Sequence, residues 1–120
     1  ENLVHCVGAG VDMFDCVLPT RNARTGKLLT STGDLIIKHA RYRLDKAPVS
    51  ETCGCYTCKN FTRSYLRHLF IAKEVLYVQL ATLHNLHFYL TLMRQARAAI
   101  IDDRYTPWRR AFESSRSQGV

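Results

Sequence analysis

Three stretches of this sequence carry residues able to do chemistry. In Cys53-Gly54-Cys55-Tyr56-Thr57-Cys58, three thiols fall within six residues. Thiolates so spaced can converge on one ion, with Gly54 relieving backbone crowding, and a closed tetrahedral site then needs a fourth donor. His68, His84 and His87 are the downstream candidates. Spacing does not choose among them, since His84 and His87 lie on neighbouring parts of one helical face. A redox thiol cluster or ordinary buried cysteines are the competing readings, but cysteines at this spacing point to metal. Three Cys and one His leave no open coordination position, so the metal would be structural. It would tie the cysteine knuckle to a helix, and apparent binding energies of roughly 10–16 kcal/mol would replace core that so small a unit lacks.

The other two stretches are a pair of carboxylates and a cluster of arginines. Asp12 and Asp15 stand three apart. On a strand that puts them on opposite faces, so they are not a shared-proton dyad. Asp15 lies towards the C-terminal end of the apolar run Val11–Leu18, where a parallel β/α architecture gathers its chemistry. Asp12 reads as the deeper, structural carboxylate, and buried pairing is the alternative for Asp15 as well. Thr20-Arg21-Asn22-Ala23-Arg24 follows at once. Two guanidinium groups, an amide and a hydroxyl suit phosphates and base edges. Such a loop would deliver a nucleotide to Asp15; a solvated turn is the alternative. Cys16 reads as packing on the opposite face.

The elements that must position these groups follow from the residue pattern. Residues 3–7 read as the end of a helix. Val11–Leu18, rich in β-formers and closed by Pro19, predicts a buried strand. Thr20–Gly26 reads as a polar loop with Asn22 and Gly26 as turn residues. Leu28–Ser31 and Leu35–Leu44 read as strands, and Lys46–Thr52 as a linker. Thr62 is an N-cap candidate for a helix burying Leu66, Leu69 and Phe70. From Glu74 to Ile101 no Gly or Pro intervenes, and Leu76, Leu80, Leu83, Leu86, Leu90 and Met93 recur at helical spacing. That predicts one helix on the order of 40 Å long. Ser114–Val120 reads as a frayed polar end.

Composition bounds the function. A chain of 120 residues is one small domain or a piece of a larger one, and the start Glu1-Asn2-Leu3, without Met, favours a piece. The net charge of +7 is uneven. Residues 1–20 have no Lys or Arg, whereas residues 21–46 carry Arg21, Arg24, Lys27, Lys38, Arg41, Arg43 and Lys46 against Asp34 and Asp45. An acidic centre beside a basic, phosphate-binding surface fits that layout; a solvated basic face is the alternative. Five cysteines, an odd number, and no secretion signal argue against a disulfide framework. No transmembrane run is present, so a soluble, cytoplasmic protein is expected.

The segment from Gly10 through Asp15, Pro19-Thr20-Arg21-Asn22-Ala23-Arg24 and Gly26 resembles the signature of tRNA-guanine transglycosylases, nearly residue for residue. The resemblance continues through Cys53–Cys58, Tyr65-Leu66-Arg67-His68-Leu69 and His84-Asn85-Leu86, and is weak past Ile101. It implies Asp15 as the nucleophile that attacks C1′ of the wobble guanosine, position 34, and forms a covalent ribosyl-enzyme. It implies Thr20, Arg21, Asn22, Ala23 and Arg24 as the RNA-recognition segment. It also implies Cys53, Cys55, Cys58 and His84 as ligands of one structural Zn2+, preferring His84 over His68 and His87. Tyr56-Thr57 and Arg63-Ser64-Tyr65 look more like bacterial members, which implies the 7-deazaguanine preQ1 as incoming base and queuosine in tRNA as the end product. A homodimer is implied too.

The implied fold class is α/β, the C-terminal portion of a (β/α)8 barrel with a zinc-binding subdomain and C-terminal helices. Residues 1–46 would hold the last barrel strands and the recognition loop, 47–101 the zinc subdomain and long helix, and 102–120 a tail. The family's upstream base-binding segments and second acid/base Asp have no counterpart here, so the isolated chain is expected to have little or no exchange activity. A free-standing zinc-dependent RNA-binding module, or a noncatalytic partner subunit, is the rival reading. Neither gives a reason for keeping Asp15 beside the arginines.

Overall fold

A computed structural model describes residues 2–120; Glu1, the first residue of the expected barrel part, lies outside the described residues. The chain runs α1 (Asn2–Gly8), α2 (Leu18–Arg24), β1 (Lys27–Thr30), β2 (Gly33–Ile36), a single 3-10 turn at Ala40–Tyr42, α3 (Tyr56–Asn60), α4 (Arg63–Ile71), α5 (Val75–Ile101) and α6 (Tyr105–Ser117). Among the described residues the sheet is one antiparallel hairpin, with Leu28 opposite Leu35 and Thr30 opposite Gly33. The architecture is thus mixed helical with a small sheet, and no parallel strand pair of a barrel is found among the described residues.

Helix α5 organises the rest. Its N-cap position is Glu74, and no helix breaker interrupts its 27 residues. Helices α2, α3 and α4 and strand β1 all pack on it. The core joins Tyr77, Leu80 and Ala81 of α5 to Leu28, Leu35, Ile37, Val49, Leu66 and Leu69. Thr62 caps α4 as its residue type predicts, its side chain accepting from the Tyr65 N–H at 3.1 Å.

The leucines that recur along α5 are not its inward face. Of Leu76, Leu80, Leu83, Leu86, Leu90 and Met93, only Leu80 is buried, and Leu90 remains 60% exposed. The inward face is Tyr77, Leu80, Ala81, His84, Asn85, Leu92, Ala96 and Ala99. Because the helix is apolar around much of its circumference, spacing alone fits more than one face. The packing partners pick the face that contains His84.

Val11–Leu18 is not a buried strand. Residues 11–17 have no regular structure, and Met13 is 87% exposed. A strand needs a neighbour to take its N–H and C=O groups, and the outward edge of β1 is already occupied by α5 side chains, as described below. Thr20–Arg24 is helix rather than loop. Pro19 is accommodated in the first turn, where its missing N–H is not needed, and Pro19 and Ala23, four apart, face the core. Gly26 is the turn residue that its type predicts, with φ +90.

The expected strand Leu35–Leu44 ends at Ile36. Beyond it the Lys38 and His39 carbonyls accept from the Arg67 guanidinium, and the chain tightens into the 3-10 turn that buries Tyr42. The linker is held as well: Arg63 donates to the Pro48 and Val49 carbonyls and pairs with Asp45 at 3.1 Å. The C-terminal stretch is not frayed up to Ser117. Helix α6 docks through Tyr105 to the Val4 carbonyl, Arg109 to His5, and Arg116 to both the Thr30 carbonyl and Asp34.

Candidate metal centre and recognition segment

The cysteine knuckle is built by its own backbone. Cys55 is the N-cap of α3, its sulfur accepting from the Cys58 N–H at 3.3 Å. That bond places Cys55 and Cys58 on the same side of one turn. Thr57, between them, is fully buried and donates its hydroxyl to the Leu80 carbonyl at 2.7 Å. The knuckle is therefore bonded to α5 one turn before His84.

His84 meets the three sulfurs with Nδ1, at 3.8 Å from Cys53, 3.5 Å from Cys55 and 3.3 Å from Cys58. All four donor atoms lie within 4.8 Å of one another. Metal–sulfur bonds of about 2.3 Å and metal–nitrogen bonds of about 2.0–2.1 Å at a tetrahedral angle give a sulfur–nitrogen separation of about 3.6 Å. The three distances bracket that value, so the donor set fits a small tetrahedral ion. The other ring nitrogen, Nε2, lies 2.7 Å from the Leu29 carbonyl oxygen. A carbonyl only accepts, so Nε2 carries a proton and Nδ1 is the nitrogen turned to the sulfurs, the ring orientation a metal-binding imidazole requires.

The electrostatics agree. The hydrogen bond with Cys58 pulls the Cys55 thiol far below its ordinary ionisation, while that bond and burial push Cys58 up. Burial opposes charge on His84, but the Cys53 and Cys55 sulfurs and the Leu29 carbonyl outweigh it and raise the ring to about 9. The four donors thus share protons with one another, and a divalent cation bound among them would displace those protons.

Neither the carboxylates nor the arginine segment joins the donor cluster. Asp15 and Asp12 are both exposed, in the irregular segment. Asp12, expected to be deeper and paired, forms no ion pair among the described residues. Helix α2 presents Thr20, Arg21 and Arg24 to solvent, with Asn22 half-buried. Ala23 is fully buried in the core, so its side chain seats the helix on α5 and is not on the outer surface. Cys16, expected to pack, is exposed. His68 is exposed and His87 half-buried, and neither joins the donor cluster.

Sequence reasoning assigned no role to Thr57, to the Leu29 carbonyl or to Asn85. Asn85 is fully buried, accepting from the Leu29 N–H at 3.0 Å and donating to the Pro19 carbonyl at 3.1 Å and the Lys27 carbonyl at 3.0 Å. The available signal was two adjacent polar residues, His84-Asn85, inside an apolar helix.

Comparison with known proteins is consistent along the chain. A sequence model of the family described as queuine tRNA-ribosyltransferase matches residues 1–118. Proteins named queuine tRNA-ribosyltransferase are similar to it in several bacteria. The one from Dechloromonas aromatica is 56% identical over 119 residues, 99% of this chain and 32% of that protein. The one from Helicobacter pylori is 54% identical over 112 residues, 93% and 30%. The one from Neisseria gonorrhoeae is 52% identical over 120 residues, 100% and 32%. The match extends through α6, beyond Ile101, where the motif resemblance predicts little. The chain spans about a third of the length of these relatives.

Proposed function

The chain belongs to the queuine tRNA-ribosyltransferase family, and from that premise we propose that it is the C-terminal catalytic part of a tRNA-guanine transglycosylase. Asp15 is its nucleophile. A carboxylate oxygen attacks C1′ of the guanosine at wobble position 34, the C1′–N9 bond breaks as the C1′–O bond forms, and protonated guanine leaves. The base preQ1 then attacks the same carbon through its ring nitrogen, breaking the C1′–O bond to release Asp15 and passing its own N–H proton to the upstream acid/base group, which had protonated the departing guanine. Two inversions at one carbon give net retention. The upstream part of the enzyme, a (β/α)8 barrel, holds the bases and supplies the second acid/base group.

Thr20, Arg21, Asn22 and Arg24 hold the RNA around that position, with Ala23 fastening their helix to α5. Support comes from the exposure of the two guanidinium groups on a helix that begins three residues after an exposed Asp15. Cys53, Cys55, Cys58 and His84 hold one Zn2+, supported by a closed donor set of three sulfurs and one nitrogen at tetrahedral spacing. The ion supplies no chemistry to the exchange; it fixes the knuckle on α5.

Met13, Val17, Leu83, Leu86 and Leu90 are exposed apolar side chains. In the whole protein they meet the barrel and the second subunit of a homodimer. A cytoplasmic location suits this reading, and no helix among the described residues is long and apolar enough to cross a membrane.

The observation that carries the reading is the cluster of three cysteines and His84 set one hairpin away from the Asp15–Arg24 segment, in a chain matched by the family over residues 1–118. The test is denaturing-gel detection of a covalent tRNA adduct with the full-length protein, unmodified tRNA and a trapping 7-deazaguanine. An adduct that vanishes in Asp15→Asn supports the nucleophile. Exchange at the wild-type rate by that variant removes it, and no adduct despite bound zinc and tRNA makes this a binding subunit.

A further inference from the structure

Strand β1 turns three backbone groups away from β2: the Lys27 carbonyl, the Leu29 N–H and the Leu29 carbonyl. No third strand among the described residues meets them. They are met by two consecutive side chains of α5. His84 Nε2 donates to the Leu29 carbonyl, Asn85 Oδ1 accepts from the Leu29 N–H, and Asn85 Nδ2 donates to the Lys27 carbonyl. The pair acts as a substitute strand edge and satisfies groups that would otherwise be buried without partners.

The same Asn85 amide also donates to the Pro19 carbonyl in the first turn of α2. Its orientation is fixed, because a flipped amide would set its oxygen against two carbonyls. Full burial makes each bond costly to lose. One residue from a metal-ligating histidine, a single side chain thus ties β1 to the helix that displays Thr20, Arg21 and Arg24.

We infer that Asn85 is a positioning residue, holding the nucleotide-recognition helix α2 in fixed register with the metal centre. The link runs from the metal through His84 and Asn85 to β1 and α2, with no contact between the metal and α2 required. The functional consequence rests on the reading of α2 as the RNA-recognition element. The mechanical link does not.

The experiment uses the full-length, zinc-loaded protein and Asn85→Asp, which keeps the acceptor for Leu29 N–H but turns an oxygen towards the Pro19 and Lys27 carbonyls. Zinc should stay at one per chain, since all four ligands are untouched. Amide hydrogen exchange over residues 18–24 should accelerate by about tenfold or more, while α4 keeps its protection. KM for tRNA should rise by a similar factor with kcat changed much less, a split that general loss of stability would not produce. Where Asn85→Asp fails to fold, Asn85→Ser replaces it, its hydroxyl being too short to span the three partners.

Unchanged exchange over residues 18–24 in a zinc-loaded variant overturns the inference. So does loss of zinc at the same rate as loss of protection, which would make Asn85 a support of the metal alone. Accelerated exchange with unchanged KM, together with unchanged KM in Arg21→Ala and Arg24→Ala, leaves the link standing and removes α2 as the RNA-binding element.

Discussion

His84 divides its two nitrogens between two tasks: Nε2 lies 2.7 Å from the Leu29 carbonyl oxygen, and Nδ1 faces the sulfurs of Cys53, Cys55 and Cys58 at 3.3–3.8 Å. The backbone of β1 therefore sets the tautomer that the metal needs. Binding the ion and docking the hairpin are consequences of one ring orientation, so the stability of each depends on the other.

Loss of a ligand should accordingly damage more than metal content. With zinc as the ion proposed for this site, His84→Ala and Cys55→Ser are expected to hold less of it than the parent, measured as metal per chain in the full-length protein. They should also lower the thermal midpoint of the C-terminal region, because the knuckle's binding energy is folding energy. One equivalent of zinc retained by both variants would contradict the ligand assignment.

Gly26 ends α2 with φ +90, a conformation that L side chains rarely adopt, and a Cβ there would stand 3.0 Å from the Phe70 ring. Gly26→Ala should destabilise the fold by about 1–3 kcal/mol, combining backbone strain with a crowded ring. Chemical denaturation reads this directly. A midpoint equal to wild type would mean that the turn relaxes freely.

Tyr77 is buried with a hydroxyl that has no hydrogen-bond partner among the described residues, and burial pushes its ionisation above the ordinary 10.0. The folded value is the higher one. The neutral phenol's contribution is thus fully present below pH 10 and is lost as pH rises through the folded value, the unfolded chain releasing its proton first. Tyr77→Phe should remove this part of the alkaline decline and raise stability near neutrality by about 1 kcal/mol. A substantial loss of stability in Tyr77→Phe would show that the hydroxyl is satisfied after all.

Arg116 fastens α6 to the hairpin, donating to the Thr30 carbonyl and pairing with Asp34 while lying beside the Phe88 ring. Arg116→Ala should cost about 1–2 kcal/mol, less than a fully buried pair because Asp34 is partly solvated. It should also open residues 105–117 to protease. Arg116→Lys should recover little, since one ammonium cannot serve both acceptors in the plane of a guanidinium.

Much of this molecule could be read from residue type and spacing. Three cysteines within one turn bring soft donors together whatever surrounds them, so the Cys53–Cys58 knuckle was legible. The uninterrupted helix from Val75 to Ile101 and the Thr62 cap were legible for the same reason: both depend on local backbone chemistry. Spacing left His68, His84 and His87 open, and the family motif preferred His84. Tertiary contact decided what local pattern leaves degenerate. An all-round apolar helix has several faces that fit the helical period, and only docking against β1, α2 and the knuckle buried His84 and Asn85 while leaving Leu83, Leu86 and Leu90 outside. The run Val11–Leu18 has strand-forming residues, yet a strand exists only where another strand completes its hydrogen bonds. Here the outer edge of β1 is closed by a histidine and an asparagine from a helix.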